Sequence, residues 1–153
     1  MEDRHTGKGF YNTPEIELNF IKEGFTDEKG YLRENLMTEE AQSIAKHFVR
    51  EKLSNSQLRA FFNEFKAINN RLNNKEENFE RIYPMILMIK SKIEYRASKK
   101  GEETKMRGFK KFIIEAINYI QKENKEGKGY KAFVSFIMFF ETVVGYSYGE
   151  GIK

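Results

Sequence analysis

The amino-acid sequence predicts an all-α protein, a compact bundle of five main helices behind a loose N-terminal leader. Three observations lead there. From Thr38 onward apolar side chains recur every three or four residues, the period of a helix with one buried face, and no alternating strand pattern competes with it. Clusters of hydroxyl, Asn, Gly and charged residues interrupt that pattern where helices would start and stop. The chain has 153 residues, 39% of them hydrophobic, which suits one domain whose core needs no covalent staple.

Residues 1–36 read as the leader. Gly7, Gly9, Pro14, Gly24 and Gly30 punctuate it, and one short helix over residues 15–21 fits behind Pro14 as a first-turn residue. The leader is expected to be partly disordered until something docks on it. The bundle occupies residues 37–148 and a tail follows at 149–153. Thr38 reads as the first N-cap, with Glu39 and Glu40 placed where a helix N-terminus favours negative charge. Ala41, Ile44, Ala45, Phe48 and Val49 form the buried stripe of that helix, which ends at Leu53 and Ser54. Ser54 with Gln57 three residues on makes a capping box. It opens a second helix burying Leu58, Phe61, Phe62, Phe65, Ile68 and Leu72.

After the polar run at 73–78, a third helix carries Phe79, Ile82, Ile86, Ile89, Ile93 and Ala97 on one face. Pro84 falls either in its first turn or at a kink. The fourth helix spans about residues 102–124 and buries Met106, Phe109, Phe112, Ile113, Ala116, Ile117 and Ile120, stopping at Gly127-Lys128-Gly129. Glu102 and Glu103 belong to its acidic first turn. The last helix, residues 130–146, is apolar nearly all round, so it must lie centrally or in a subunit interface.

The chemistry that the residues exclude is extensive. Without cysteine there is no disulfide or thiolate metal site, and a reducing compartment is the natural one. No run approaches 18 consecutive apolar residues, so no membrane span is expected, and MEDRHTGKGF lacks the apolar core of a signal peptide. The expectation is a cytoplasmic protein with no membrane partner. His5 and His47 are the two histidines. His47 could touch Glu51, four residues on, but two ligands do not make a metal site, and the pair reads as a surface histidine beside an acid. No nucleophile–base pair can be assembled from isolated serines. Gly7-Lys8-Gly9 and Gly127-Lys128-Gly129 lack the strand and the glycine spacing of a phosphate loop, and Gly145, Gly149 and Gly151 follow a helix instead of opening one. The sequence therefore predicts no enzyme, no cofactor and no metal.

The charge is informative. Residues 1–36 hold five Lys/Arg and eight Asp/Glu, whereas the rest holds 22 and 15, a basic body of net +7 behind an acidic leader. Such a body favours an anionic partner. Within it, residues 90–111 carry nine cations against Glu94, Glu102 and Glu103. Lys92, Arg96 and Lys99 stand at i, i+4 and i+7 and share one helix side. Arg59 and Lys66 stand seven apart on the preceding helix, with Asn63 and Asn70 on the same side. Lys92, Arg96, Lys99 and Arg59, assisted by Lys66, Lys90 and Lys100, are expected to line one continuous face against a nucleic-acid backbone, which cations bind largely without regard to sequence. The Phe residues mostly follow the apolar phase and read as core. Tyr11, Tyr31, Tyr146 and Tyr148 are freer, yet none is singled out as a base-stacking platform.

Three ordered segments carry a family resemblance. Residues 53–64, with Ser56-Gln57-Leu58-Arg59-Ala60-Phe61, are similar to the T-S-Q-L-R-x-F helix start of the small subunit of type III-A CRISPR effector complexes. Residues 84–97, with Leu87, Lys90, Lys92, Ile93, Tyr95 and Ala97, resemble that family's L-x-x-L-K-x-K-L-x-Y-x-A helix. Residues 133–146, with Phe139-Phe140-Glu141-Thr142-Val143-Val144-Gly145-Tyr146, resemble its closing F-x-x-x-x-E-A-x-V-A-Y helix. Order and spacing agree from about residue 38 to 147. The resemblance implies a five-helix bundle repeated along a ribonucleoprotein, in contact with guide RNA, target RNA, other subunits and copies of itself, with no active site of its own. Arg59 matches the family's Arg after Leu, and Lys90 and Lys92 match its basic helix. Where the family often carries Arg after the Tyr motif, this chain has Lys99 nearby. Two other readings of the residues remain, a free-standing helical nucleic-acid binder and a purely structural interaction module.

Overall fold

A computed structural model describes residues 14–74 and 78–153. The expected leader features His5, Gly7, Gly9 and Tyr11, and residues 75–77 of the polar run, lie outside the described residues. Among the described residues the fold is helical, with a single isolated antiparallel bridge between Thr26 and Leu32. The helices are a short α1 (Phe20–Glu23), then α2 (Ala41–Arg50), α3 (Asn55–Asn73), α4 (Phe79–Ala97), α5 (Arg107–Lys125) and α6 (Gly129–Gly149). A π-helical turn, Leu36–Glu40, leads into α2. Five helices are substantial, as the periodicity expects.

α6 is the axis of the bundle and packs against α2, α3 and α5, while α4 closes the outside between α3 and α5. Its buried residues include Phe133, Phe136, Phe139, Phe140, Val143 and Val144. The rings interlock: Phe140 lies 5.2 Å from Phe62 and 5.4 Å from Phe112, and Phe65 lies 5.1 Å from Phe136, all edge-on. Such pairs add about 0.5–1.5 kcal/mol each beyond the area they bury. Among the described residues, α6 alone is long and apolar enough (mean hydropathy 1.3) to cross a membrane. Here its apolar girth is covered by three neighbouring helices. Its exposed residues are Tyr130, Lys131, Met138, Glu141, Gly145, Tyr148 and Gly149.

The sequence reading expects a loose leader through residue 36, and residues 14–36 depart from it. Ile16, Leu18, Phe20, Phe25 and Leu36 belong to the core, with Phe20 and Leu36 fully buried. Phe20 packs 5.8 Å from Phe139, and Phe25 lies 5.8 Å from Phe136. Polar anchors hold the segment in register: Arg33 donates to the Gly24 carbonyl at 2.9 Å and pairs with buried Glu40 at 2.8 Å. Glycine punctuation signalled looseness, but Gly24 and Gly30 have φ of 75° and 86° and serve as turns in a packed segment. The short helix comes at Phe20–Glu23, later than the 15–21 expected.

Other boundaries shift for local reasons. Thr38 is not an N-cap: helical backbone begins at Glu34, and the Thr38 hydroxyl donates back to the Glu34 carbonyl at 2.8 Å. Ser54 does cap α3, accepting the Gln57 amide hydrogen bond at 3.1 Å. The return half of the expected box is replaced, because the Gln57 side-chain oxygen accepts from Arg96. Asn78 caps α4 in the same way, through the Arg81 amide. Pro84 lies inside α4, past its first turn, and the helix continues through it. α5 starts at Arg107, so Glu102 and Glu103 lie in the preceding turns and not in its first turn. Its end is the expected glycine stop: Gly127 has φ 77°, and the Lys128 amide reaches the Glu123 carbonyl at 2.9 Å.

The N-terminus of α5 is held by α2. Glu51, its side chain 4% exposed, accepts from the Gly108 amide at 2.8 Å and from Arg107 Nη2 at 2.8 Å, and His47 Nε2 lies 3.2 Å from it. His47 is thus buried, not the surface residue that the sequence suggests, since the pair faces α5 across the bundle. Burial pushes the Glu51 carboxyl up, but hydrogen bonds from His47, Gly108 and Arg107, with the His47 charge, outweigh it and hold the group below its ordinary range. Gly108 is required by this approach, because a Cβ there would stand 2.6 Å from the His47 ring and 2.9 Å from Glu51 Oε1.

Candidate nucleic-acid interface

The helical phase of α4 decides which cations share a face. Lys92 and Arg96 point to α3: Lys92 Nζ lies 3.1 and 3.2 Å from the two Glu64 oxygens, and Arg96 Nη1 donates to Gln57 Oε1 at 3.0 Å. The Arg96 guanidinium also stands 5.7 Å from the Phe61 ring. Lys99 follows just beyond the end of α4, with Nζ 4.8 Å from the Tyr95 ring centroid, and exposed Lys100 comes next. These four form a ridge along one edge of the α3–α4 groove and off its end.

The remaining candidates sit elsewhere. Lys90 is two residues from Lys92, about 200° round the helix, and donates to Asn118 of α5 at 2.8 Å. Its neighbour on that flank is the Lys110–Glu94 pair at 3.0 Å. Arg59 and Lys66 lie on the flank of α3 toward α6: Arg59 donates to the Tyr148 hydroxyl at 2.9 Å, and Lys66 stands 5.8 Å from the Phe62 ring. The single face expected of all seven is therefore split. Lys92, Arg96, Lys99 and Lys100 run together, Arg59 and Lys66 lie across the outer ridge of α3, and Lys90 lies on the opposite flank of α4. Asn63 and Asn70 occupy that outer ridge, exposed.

Two groups escaped the sequence reading. Lys52, Lys105 and Lys153 surround a depression of about 430 Å³ floored by Val49, Leu53 and Ile152. They come from three distant stretches of chain, so no local pattern could have joined them. Tyr95 is 64% exposed and lines the α3–α4 groove. Its position between Ile93 and Ala97, off the apolar phase, was the available signal. Of the tyrosines read as free, Tyr31 and Tyr148 are exposed and Tyr146 packs on the core. Among the described residues no group of three or more His, Cys, Asp or Glu gathers to hold a metal ion.

Fold and surface together define a small helical-bundle protein with cations along the edge of an inter-helix groove. The sequence model of the Csm2 Type III-A family matches residues 32–150. The chain belongs to that family, the small subunits of type III-A CRISPR effector complexes. No curated protein and no solved structure matches the chain.

Proposed function

We propose that this chain is a non-catalytic small subunit that holds guide and target RNA in a cytoplasmic type III-A ribonucleoprotein, beside other subunits and further copies of itself. The observation that carries the reading is the ridge of Lys92, Arg96, Lys99 and Lys100 beside the α3–α4 groove. Lys92 and Arg96 stand about 6 Å apart along α4 at ~1.5 Å per residue, and Lys99 follows just past the helix end, so these cations can meet successive phosphates. The internal partners are weak obstacles: Lys92 and Glu64 side chains are 47% and 40% exposed, and exposed pairs are worth about 0–1 kcal/mol. A phosphate can displace them. Arg59 and Lys66 extend the surface across α3, and Lys90 serves on the flank toward α5.

The test is the salt dependence of binding to single-stranded RNA. The logarithm of affinity should fall against that of salt with a slope near −0.7 per phosphate neutralised. Replacing Lys92, Arg96 and Lys99 together by Ala should flatten that slope by roughly two units. Folding should survive, since all three are exposed. A second reading, a purely structural module, is favoured by the partners that Lys92 and Arg96 find on α3. Unchanged affinity and slope in the triple variant, alone and in the complex, would decide for it.

A further inference from the structure

The α3–α4 groove holds more than cations. Ala60, Phe61 and Glu64 of α3 and Lys92, Tyr95 and Arg96 of α4 line a cavity of about 310 Å³. Ligand pockets begin near ~300 Å³, so the space suits one nucleoside. Ala60 and Phe61 supply its apolar lining, with the Arg96 guanidinium 5.7 Å from the Phe61 ring centroid. Tyr95 exposes 64% of its surface beside that lining, an arrangement that core packing does not explain. Lys99 Nζ stands 4.8 Å from the Tyr95 ring centroid, which adds positive charge beside the ring. The one carboxylate lining the groove, Glu64, has both oxygens turned to Lys92 Nζ, at 3.1 and 3.2 Å.

We propose that this groove takes one unstacked base of a bound RNA, guanine in preference to the other three, with its ring on Tyr95 and its Watson–Crick edge on Glu64. The inference rests on the RNA-binding reading above and adds one base-selective contact to a backbone-led interface. Guanine presents N1–H and N2–H side by side, so the two carboxylate oxygens can accept both, as they now accept the Lys92 ammonium. Adenine and cytosine offer one amino donor beside an acceptor nitrogen, and uracil offers one N–H between two carbonyls. Each of these turns a lone pair toward the carboxylate. When guanine takes Glu64, Lys92 is released to an adjacent phosphate, while Arg96 keeps its place over Phe61 and turns its outer N–H groups to the backbone. Single-stranded bases are commonly read in this way, stacked on an aromatic ring with the pairing edge hydrogen-bonded.

The experiment uses the full chain and fluorescence anisotropy with uridine oligonucleotides of about 12 nucleotides, carrying a central guanosine, a central adenosine or neither. The guanosine oligonucleotide should bind about tenfold more tightly, the lower range of a bidentate base contact, and the other two alike. Glu64→Gln should erase the preference while binding all-uridine RNA at least as tightly, because Lys92 is set free. Tyr95→Ala should weaken the guanosine oligonucleotide and Tyr95→Phe should not, with circular dichroism confirming the fold of each variant. Equal binding of all three oligonucleotides, or a preference that survives Glu64→Gln, overturns the proposal and leaves backbone binding standing. So does a result in which the variants bind RNA normally but fail to join the other subunits, which would make the groove a protein contact. Absence of any salt-sensitive RNA binding overturns both readings together.

Discussion

Glu51 is the most consequential polar side chain in the fold, and its removal has a calculable effect. In Glu51→Ala the Gly108 amide loses its acceptor at a buried position, and an orphaned buried donor costs about 1–3 kcal/mol. Arg107 loses its partner as well, but its side chain is 41% exposed, so water replaces the pair for about 1 kcal/mol or less. Together these come to about 1–4 kcal/mol. For a domain of this length 1 kcal/mol moves the melting temperature by roughly 2–4 °C, so the variant should melt about 2–16 °C below the parent. Urea denaturation followed by circular dichroism measures it directly. Glu51→Gln keeps an oxygen for the Gly108 amide and should cost about 1 kcal/mol, within the net worth of a charged hydrogen bond. The pH dependence has a definite sign. The folded carboxyl lies below its ordinary 4.5, so its contribution is complete above that value and is lost as pH falls through the folded one. The gap between parent and Glu51→Gln should therefore close on acidification below about 4.5. A melting temperature of Glu51→Ala within a degree of the parent, or a gap that widens in acid, would refute the capping role.

Two further outcomes follow from the core and the helix starts. Ser54→Ala removes the acceptor of the Gln57 amide and should cost about 1 kcal/mol, seen as a drop of roughly 2–4 °C in the melting temperature; an unaltered melt would place the start of α3 elsewhere. Phe140→Asp sets a carboxylate among Phe62, Phe65, Phe109, Phe112 and Phe136. It should abolish cooperative unfolding, and a sharp, parent-like transition would mean that α6 is not the axis of the core.

Much of this protein is written locally. The helical period of Leu58, Phe61, Phe62, Phe65 and Ile68, or of Ile82, Ile86, Ile89 and Ile93, is a property of adjacent residues, and each of these side chains is buried as that period requires. The Ser54 cap and the Gly127 stop are equally local, since their hydrogen bonds close within a few residues. The i, i+4 relation of Lys92 and Arg96 needs only helix geometry, whereas Lys99, expected on the same helix side, lies past the end of α4. The family resemblance rests on such local segments in order.

Tertiary structure decided the rest, because it depends on which helix lies beside which. Lys90 and Lys92 look like one basic patch in sequence, but α5 takes one and α3 the other. His47 and Glu51 are polar and four residues apart, a surface pattern until the N-terminus of α5 is laid over them. Phe20 and Phe25 stand among glycines and acids, and only the surface offered by Phe112, Phe136 and Phe139 draws them inside. Periodicity reports which side of a helix avoids water. The identity of the neighbour that covers it is set by the joint packing of all the helices, and with it which charges are left facing a ligand.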